Sequence, residues 1–330
     1  MGSIPGVSAV RHAYTEISKN GNNRYWWRDR FINRVVSPTQ QRIYGRGNAI
    51  DPFGGEHRYT DWDVLFVLDA CRADLFEETV PDSGINYSSY EMVESPASST
   101  PEWTSRLFEG RSFGDVVYIT ANPWTARVAP NSFHDRIDVW HDDFDDDVGT
   151  VRPEAMIKAA KAAIDDYPNK RIVVHLMQPH VPFIGGAEVD EGSKNNPEQV
   201  INEQIKTTGK EGSFGRLRYG DGDVKKVWSD YKSNLEIALK NIQNITNDID
   251  GRIVLTSDHG NMFGEIAWPF PIRVYGHPDG LRSSPLIEVP WAVIESDSPR
   301  PTIKDDGAKH VPLPGEENQL SNKLESLGYK

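Results

Sequence analysis

Five short, mostly apolar runs set between helix-period segments constrain this chain more than any other feature. Val64-Leu65-Phe66-Val67-Leu68 shows no alternation of apolar and polar residues, the pattern of a strand covered on both faces. Val116–Thr120, Arg171–Met177, Arg252–Thr256 and Leu286–Ile294 read as further strands. Between them, Pro153 opens a helical run through Met156, Ala160, Ala163 and Ile164 that stops near Tyr167-Pro168. Trp228, Tyr231, Leu235, Ala238, Leu239, Ile242 and Ile245 fall at helical spacing. Helix and strand thus alternate over about 230 residues, which predicts an α/β fold: a doubly wound, mostly parallel sheet flanked by helices.

The 330 residues are 37% hydrophobic and 10% aromatic, enough for a substantial core. No apolar run approaches the roughly 20 residues of a membrane-spanning helix, so no integral membrane segment is expected. Met1–Asn20 has no apolar stretch of signal-peptide type, and the expected location is the cytoplasm. A net charge of −13 argues against a nucleic-acid partner, which needs a positive face. The single cysteine, Cys71, excludes an internal disulfide framework and reads as buried packing.

Residues 1–55 read as an irregular N-terminal extension, with a helical arm or docking surface as the alternative, because Arg24, Arg28, Arg30, Arg34 and Arg42 lie among aromatics. Residues 56–330 read as one domain. Within it, 185–223 is a polar, Gly-rich insertion, either a lid or a surface loop. His141–Asp147 holds five aspartates in seven residues but lacks the ordered glycine and final glutamate of an EF-hand, so a solvated acidic turn is expected.

In an open α/β sheet, functional groups gather at the carboxyl ends of the strands. Asp69 follows the first run, Gln178 and His180 the third, and Asp258-His259 the fourth. Two carboxylates and imidazoles from different strand ends suit a divalent metal such as zinc or manganese. Asp69 is alternatively a helix N-cap before C-R-A-D-L-F. Gly260 after the Asp-His pair implies a turn in which backbone approaches something closely.

T-S-D-H-G-N-M-F-G-E resembles the metal-binding segment of the sulfatases and their relatives in the alkaline phosphatase superfamily. V-L-D-A-C-R-A-D-L-F is similar to that family's first strand and turn. M-Q-P-H-V-P-F is similar to its D-P-H-x-P-[YF] segment, and S-S-T-P-E-W-T-S-R-L-F-E-G to its C/S-x-P-x-R nucleophile segment. R-V-Y-G-H-P-D-G, L-I-E-V-P-W-A-V-I and the terminal L-E-S-L-G-Y-K echo later motifs in family order.

The resemblance implies a metal-dependent hydrolase or transferase of phosphate or sulfate esters, acting on a small-molecule or glycan ester. Asp69, Asp258 and His259 would be metal ligands for zinc, manganese, magnesium or calcium. Ser99, two residues before Pro101, would be the nucleophile and a further ligand, with Thr100 as the alternative. His180 and His277 would bind ester oxygens or protonate the leaving group, and Arg72 would help neutralise the anion. Three departures bear on the chemistry. Ala70 stands where a second acidic residue is usual, Trp103 replaces the motif arginine, and no cysteine occupies position 99 for conversion to formylglycine. A serine or threonine alkoxide and a covalent phospho-enzyme are therefore expected rather than formylglycine chemistry. A non-catalytic binding protein on the same fold, or a transferase placing phospho-groups on cell-surface glycans, are the alternatives.

Overall fold

The computed structural model describes residues 14–45, 47–184, 212–296, 298–301, 303–309 and 311. Eleven strands are present among them: β1 (Val64–Leu68), β2 (Ser89–Glu94), β3 (Phe113–Thr120), β4 (Phe133–Asp138), β5 (Phe144–Asp145), β6 (Thr150–Val151), β7 (Arg171–Leu176), β8 (Arg252–Ser257), β9 (Met262–Ile266), β10 (Arg273–Gly276) and β11 (Glu288–Glu295). Seven form one sheet in the order β2-β11-β8-β1-β7-β3-β4, with β9–β10 and β5–β6 as small hairpins. β1 pairs in parallel with β7 and β8, and β3 in parallel with β7 and β4. β11 alone runs against its neighbours β8 and β2. The doubly wound, mostly parallel sheet is thus present.

β1 shows why its sequence is unbroken. Val64, Phe66 and Leu68 enter a core beneath the helices Ala73–Thr79, Pro153–Asp166 and Val224–Thr246. Leu65 and Val67 enter a second core on the other face with Trp103, Leu107 and Phe108 of helix Thr100–Phe108. Every residue of the strand is buried, so period-2 polarity has no place in it. The long helix starts at Asp223, whose carboxylate accepts from the N–H groups of Lys225 and Lys226.

Two strands of the seven-stranded sheet went unread in the sequence, as did the four short strands of the hairpins. β2 lies at the sheet edge and is mostly solvent-facing. β4 carries the buried ion pair Arg136–Asp138 (2.9 Å), so a strand of the core looks charged. The acidic turn is exposed: Asp145 accepts from the Asp147 N–H and pairs with Arg152 at 2.5 Å. Of the 185–223 insertion, 185–211 lies outside the described residues, and Ser213–Tyr219 is a helix rather than loop. The terminal L-E-S-L-G-Y-K lies outside them too.

Among the described residues of the N-terminal region, 24–44 are helical rather than irregular. Arg24–Phe31, a π-helical turn Ile32–Val36 and Ser37–Tyr44 run on from one another. Ile32 and Val36 pack in a third core with Met262, Val274, Leu281 and Leu286. Ile50 and Phe53 belong to the second core, so structure shared with the sheet begins before residue 56. No described helix is long and apolar enough to cross a membrane.

Candidate active site

The carboxyl ends of β1, β8, β7 and β3 deliver a cluster of buried polar side chains. Asp69 follows β1, and the chain turns at once through Ala70, whose φ of 60° is the left-handed region. A β-branched or bulky side chain would be strained there; alanine carries a smaller penalty. The turn is pinned by three contacts. The Ala70 N–H donates to Asp258 Oδ1 (3.0 Å), the Cys71 N–H to Ser257 Oγ (2.8 Å), and the Tyr231 hydroxyl to the Ala70 carbonyl. Ala70, the departure from the family's usual acidic residue, is therefore a buried backbone joint. Cys71 is buried beside it, and burial pushes its thiol well up, as inert packing requires.

Asp258 and His259 follow β8, where the Ser257 hydroxyl ties the Leu68 and His259 carbonyls (2.6 Å each). The close approach at Gly260 is to Pro285: a Cβ would sit 2.2 Å from its carbonyl oxygen. The His259 Nδ1 lies 2.8 Å from the Gly260 carbonyl, so Nδ1 carries the proton and Nε2 presents its lone pair to the cluster.

Ser99 and Thr100 separate here. Ser99 is the N-cap of helix Thr100–Phe108, and its Oγ accepts from the Glu102 N–H at 3.4 Å. Thr100, one residue on, turns inward. Its hydroxyl donates to Asp258 Oδ2 (2.8 Å) and lies 3.2 Å from His259 Nε2 and 3.4 Å from both Asp69 oxygens. Of the two hydroxyls the sequence offered, Ser99 Oγ is thus turned to its own helix start, and the Thr100 hydroxyl is the one set against the cluster.

Asp69, Asp258 and His259 each offer a ligand atom within 4.8 Å of the others, all buried. Burial, then the Asp258 charge, pushes the Asp69 carboxyl well above the usual carboxylate range. Burial also disfavours charge on Asp258, but His259 and His175 outweigh it and hold that carboxyl low. Two carboxylates this close and dry cannot both ionise without a cation to share. Two carboxylates, an imidazole lone pair and a hydroxyl oxygen are a donor set that fits a divalent ion.

His180 and His277 are also brought in. Their Nε2 atoms are 3.0 Å apart, and the His277 ring lies 4.6 Å from that of His259. His180 Nδ1 donates to the Val181 carbonyl at 2.7 Å, which leaves its Nε2 unprotonated and requires the proton between the rings to sit on His277 Nε2. Burial lowers His180 to about 4 and puts His277 well below its ordinary value. Asn234 fixes the His180 loop, donating to the Pro179, His180 and Pro182 carbonyls.

The Arg72 guanidinium is engaged by Asp74 (2.6 Å), Glu265 (2.5 Å) and the Asn261 carbonyl, so it clamps the Asp258-His259 loop and its charge is already shared with two carboxylates. Trp103, standing for the motif arginine, is buried in the second core against Phe53, Phe108 and His175. Gln178 is structural, donating to the Val151 carbonyl.

Two neighbours were missed in the sequence. Asn122, two residues past β3, donates to Asp69 Oδ2 at 3.0 Å; applying the strand-end rule to β3 would have flagged it. His175 lies inside β7, its Nδ1 2.7 Å from the Tyr118 hydroxyl and its Nε2 3.9 Å from Asp258 Oδ2. One imidazole in R-I-V-V-H-L was its only signal.

No family profile and no curated protein matches the chain. Among solved structures, the chain is similar to the C-terminal periplasmic domain of phosphoethanolamine transferase EptC from Campylobacter jejuni. The identity is 15%, over 71% of this chain and 78% of that one, with a TM-score of 0.44. It is also similar to the integral membrane lipooligosaccharide phosphoethanolamine transferase A from Neisseria meningitidis, at 12% identity, 88% and 59% coverage and a TM-score of 0.47. A protein in the alkaline phosphatase superfamily from Vibrio parahaemolyticus gives 11% identity, 82% and 71% coverage and a TM-score of 0.37. These likenesses are remote, and what the chain does has to be read from its own residues.

Proposed function

We propose that this chain is a metal-dependent phosphoryl-transfer enzyme with the Thr100 hydroxyl as nucleophile. The observation that carries this reading is the placement of that one buried hydroxyl against Asp258, His259 and Asp69 together. Asp69, Asp258, His259 and Thr100 would hold the cation. Bound there, a divalent ion would lower the hydroxyl pKa and offset charge on the ester.

The protein's own groups supply the proton path. Thr100 Oγ1 attacks phosphorus while Asp258 Oδ2, 2.8 Å away, takes its proton. The bond from phosphorus to the leaving oxygen breaks, and that oxygen takes a proton from the His180–His277 pair, which must hold one proton more than the neutral pair to serve as the acid. Water or an acceptor alcohol then attacks the phosphothreonine, returning a proton to the pair as Thr100 recovers its own from Asp258. Asn122 and the Ala70 N–H keep the two carboxylates aimed during both halves.

Phosphate is favoured over sulfate because neither position 99 nor 100 is a cysteine, and Cys71 is buried away from a reactive role. The test is a panel of nitrophenyl phosphate monoesters, phosphodiesters and sulfates with zinc, manganese, magnesium and calcium. Metal-dependent turnover of phosphate esters is expected; turnover of sulfates alone would sink the proposal.

A further inference from the structure

The chain's exposed apolar surface is concentrated in one place. Of twelve exposed large hydrophobic side chains among the described residues, nine lie on the N-terminal arm or on the hairpin tip beneath it. Tyr14, Ile17, Trp27, Phe31, Val35, Ile43 and Tyr44 are on the arm, and Ile266 and Trp268 at the tip of β9–β10. The tip is packed onto the arm through Phe31–Phe270 and Tyr44–Trp268 ring contacts and a Gln40 side-chain bond to the Trp268 carbonyl (2.6 Å). A single connected surface results.

The same arm is the basic part of an acidic protein. Residues 14–44 carry six cations against two carboxylates, a net of +4 within a total of −13. Arg24, Trp27, Phe31, Arg34 and Val35 fall on one helical face, and all five are exposed. Ile32, Val36 and Gln40 take the opposite face and are buried. Trp27 is held ready, its indole N–H donating to the Gly21 carbonyl at 2.8 Å. Tryptophan with arginine on one face of a helix is the composition of a membrane–water interface, where aromatic rings enter the headgroup layer and arginine heads meet lipid phosphates.

We propose that this arm is a docking surface for an anionic lipid bilayer, binding peripherally. A second copy of the chain fits less well. Stripe-to-stripe pairing would face +4 against +4, and the other exposed large apolar side chains among the described residues, Tyr87, Met92 and Val224, are too few to receive nine.

Co-sedimentation of the full chain with phosphatidylglycerol–phosphatidylcholine vesicles, against phosphatidylcholine alone, tests this. Binding to the anionic vesicles only is expected, weakening as salt rises. The triple variant Arg24→Gln, Arg34→Gln, Arg42→Gln should lower partitioning on the order of 100-fold, at about 1 kcal/mol per basic residue. Trp27→Ser with Phe31→Ser should lower it as well and remove a blue shift in tryptophan emission. Circular dichroism and melting temperature check that both variants fold, independently of any enzymatic reading. Equal binding to neutral vesicles, or binding indifferent to both variants, overturns the proposal. So does absence of binding, including the case in which the chain dimerises through the stripe and Trp27→Ser abolishes the dimer.

Discussion

Replacing Thr100 and Ser99 one at a time separates two hydroxyls that adjoin in sequence and differ entirely in surroundings. Thr100→Ala removes the only side-chain oxygen among the described residues that touches Asp69, Asp258 and His259 at once. If that oxygen is the nucleophile, turnover should fall by at least about 10⁴-fold, roughly 5.5 kcal/mol of barrier. Ser99→Ala removes an N-cap whose hydrogen bond is already long at 3.4 Å. That places it at the weak end of capping, about 0.5–1 kcal/mol of stability, with turnover kept within a few fold. The melting temperature should drop by about 1–4 °C. Thr100→Ser keeps the oxygen and should retain substantial activity. The assay is nitrophenol release with the preferred metal, paired with mass spectrometry of trapped phospho-enzyme to locate the modified residue. A dead Ser99→Ala beside an active Thr100→Ala would refute the reasoning from geometry.

Two further outcomes are expected. A chelator should lower the melting temperature, because a cation held at 100 times its dissociation constant stabilises by about 2.7 kcal/mol; Asp69→Asn and Asp258→Asn should lower bound metal by elemental analysis and blunt the chelator's effect. Glu102 bridges the Thr100 and His277 loops, accepting from the Ser98 N–H (3.0 Å) and the Gly280 N–H (3.2 Å) while pairing with Arg106; Glu102→Ala should reduce kcat about 10-fold or more, the loss of one buried charge-assisted hydrogen bond, with Glu102→Gln recovering most of it at unchanged KM.

The strands that build the site were legible because burial on both faces writes itself as an unbroken apolar run. β1, β7 and β8 are such strands, and Asp69, His180, Asp258 and His259 stand directly past their ends. Gly260 was legible for the same local reason, since only a residue without Cβ admits the Pro285 carbonyl. β2 and β4 were not, because an edge position and a buried ion pair each mask the apolar pattern. Nor could the sequence say that Arg72 spends its charge on Asp74 and Glu265, the latter 193 residues away. The choice between Ser99 and Thr100 also lay outside its reach. Adjacent residues at a helix start differ by about 100° in direction, and which one faces the cluster depends on where β8 sets Asp258 and His259 against β1. Sequence fixes residue types and local period; the meeting of Asp69, Thr100 and Asp258 across separations of 31 and 158 positions is a product of sheet order.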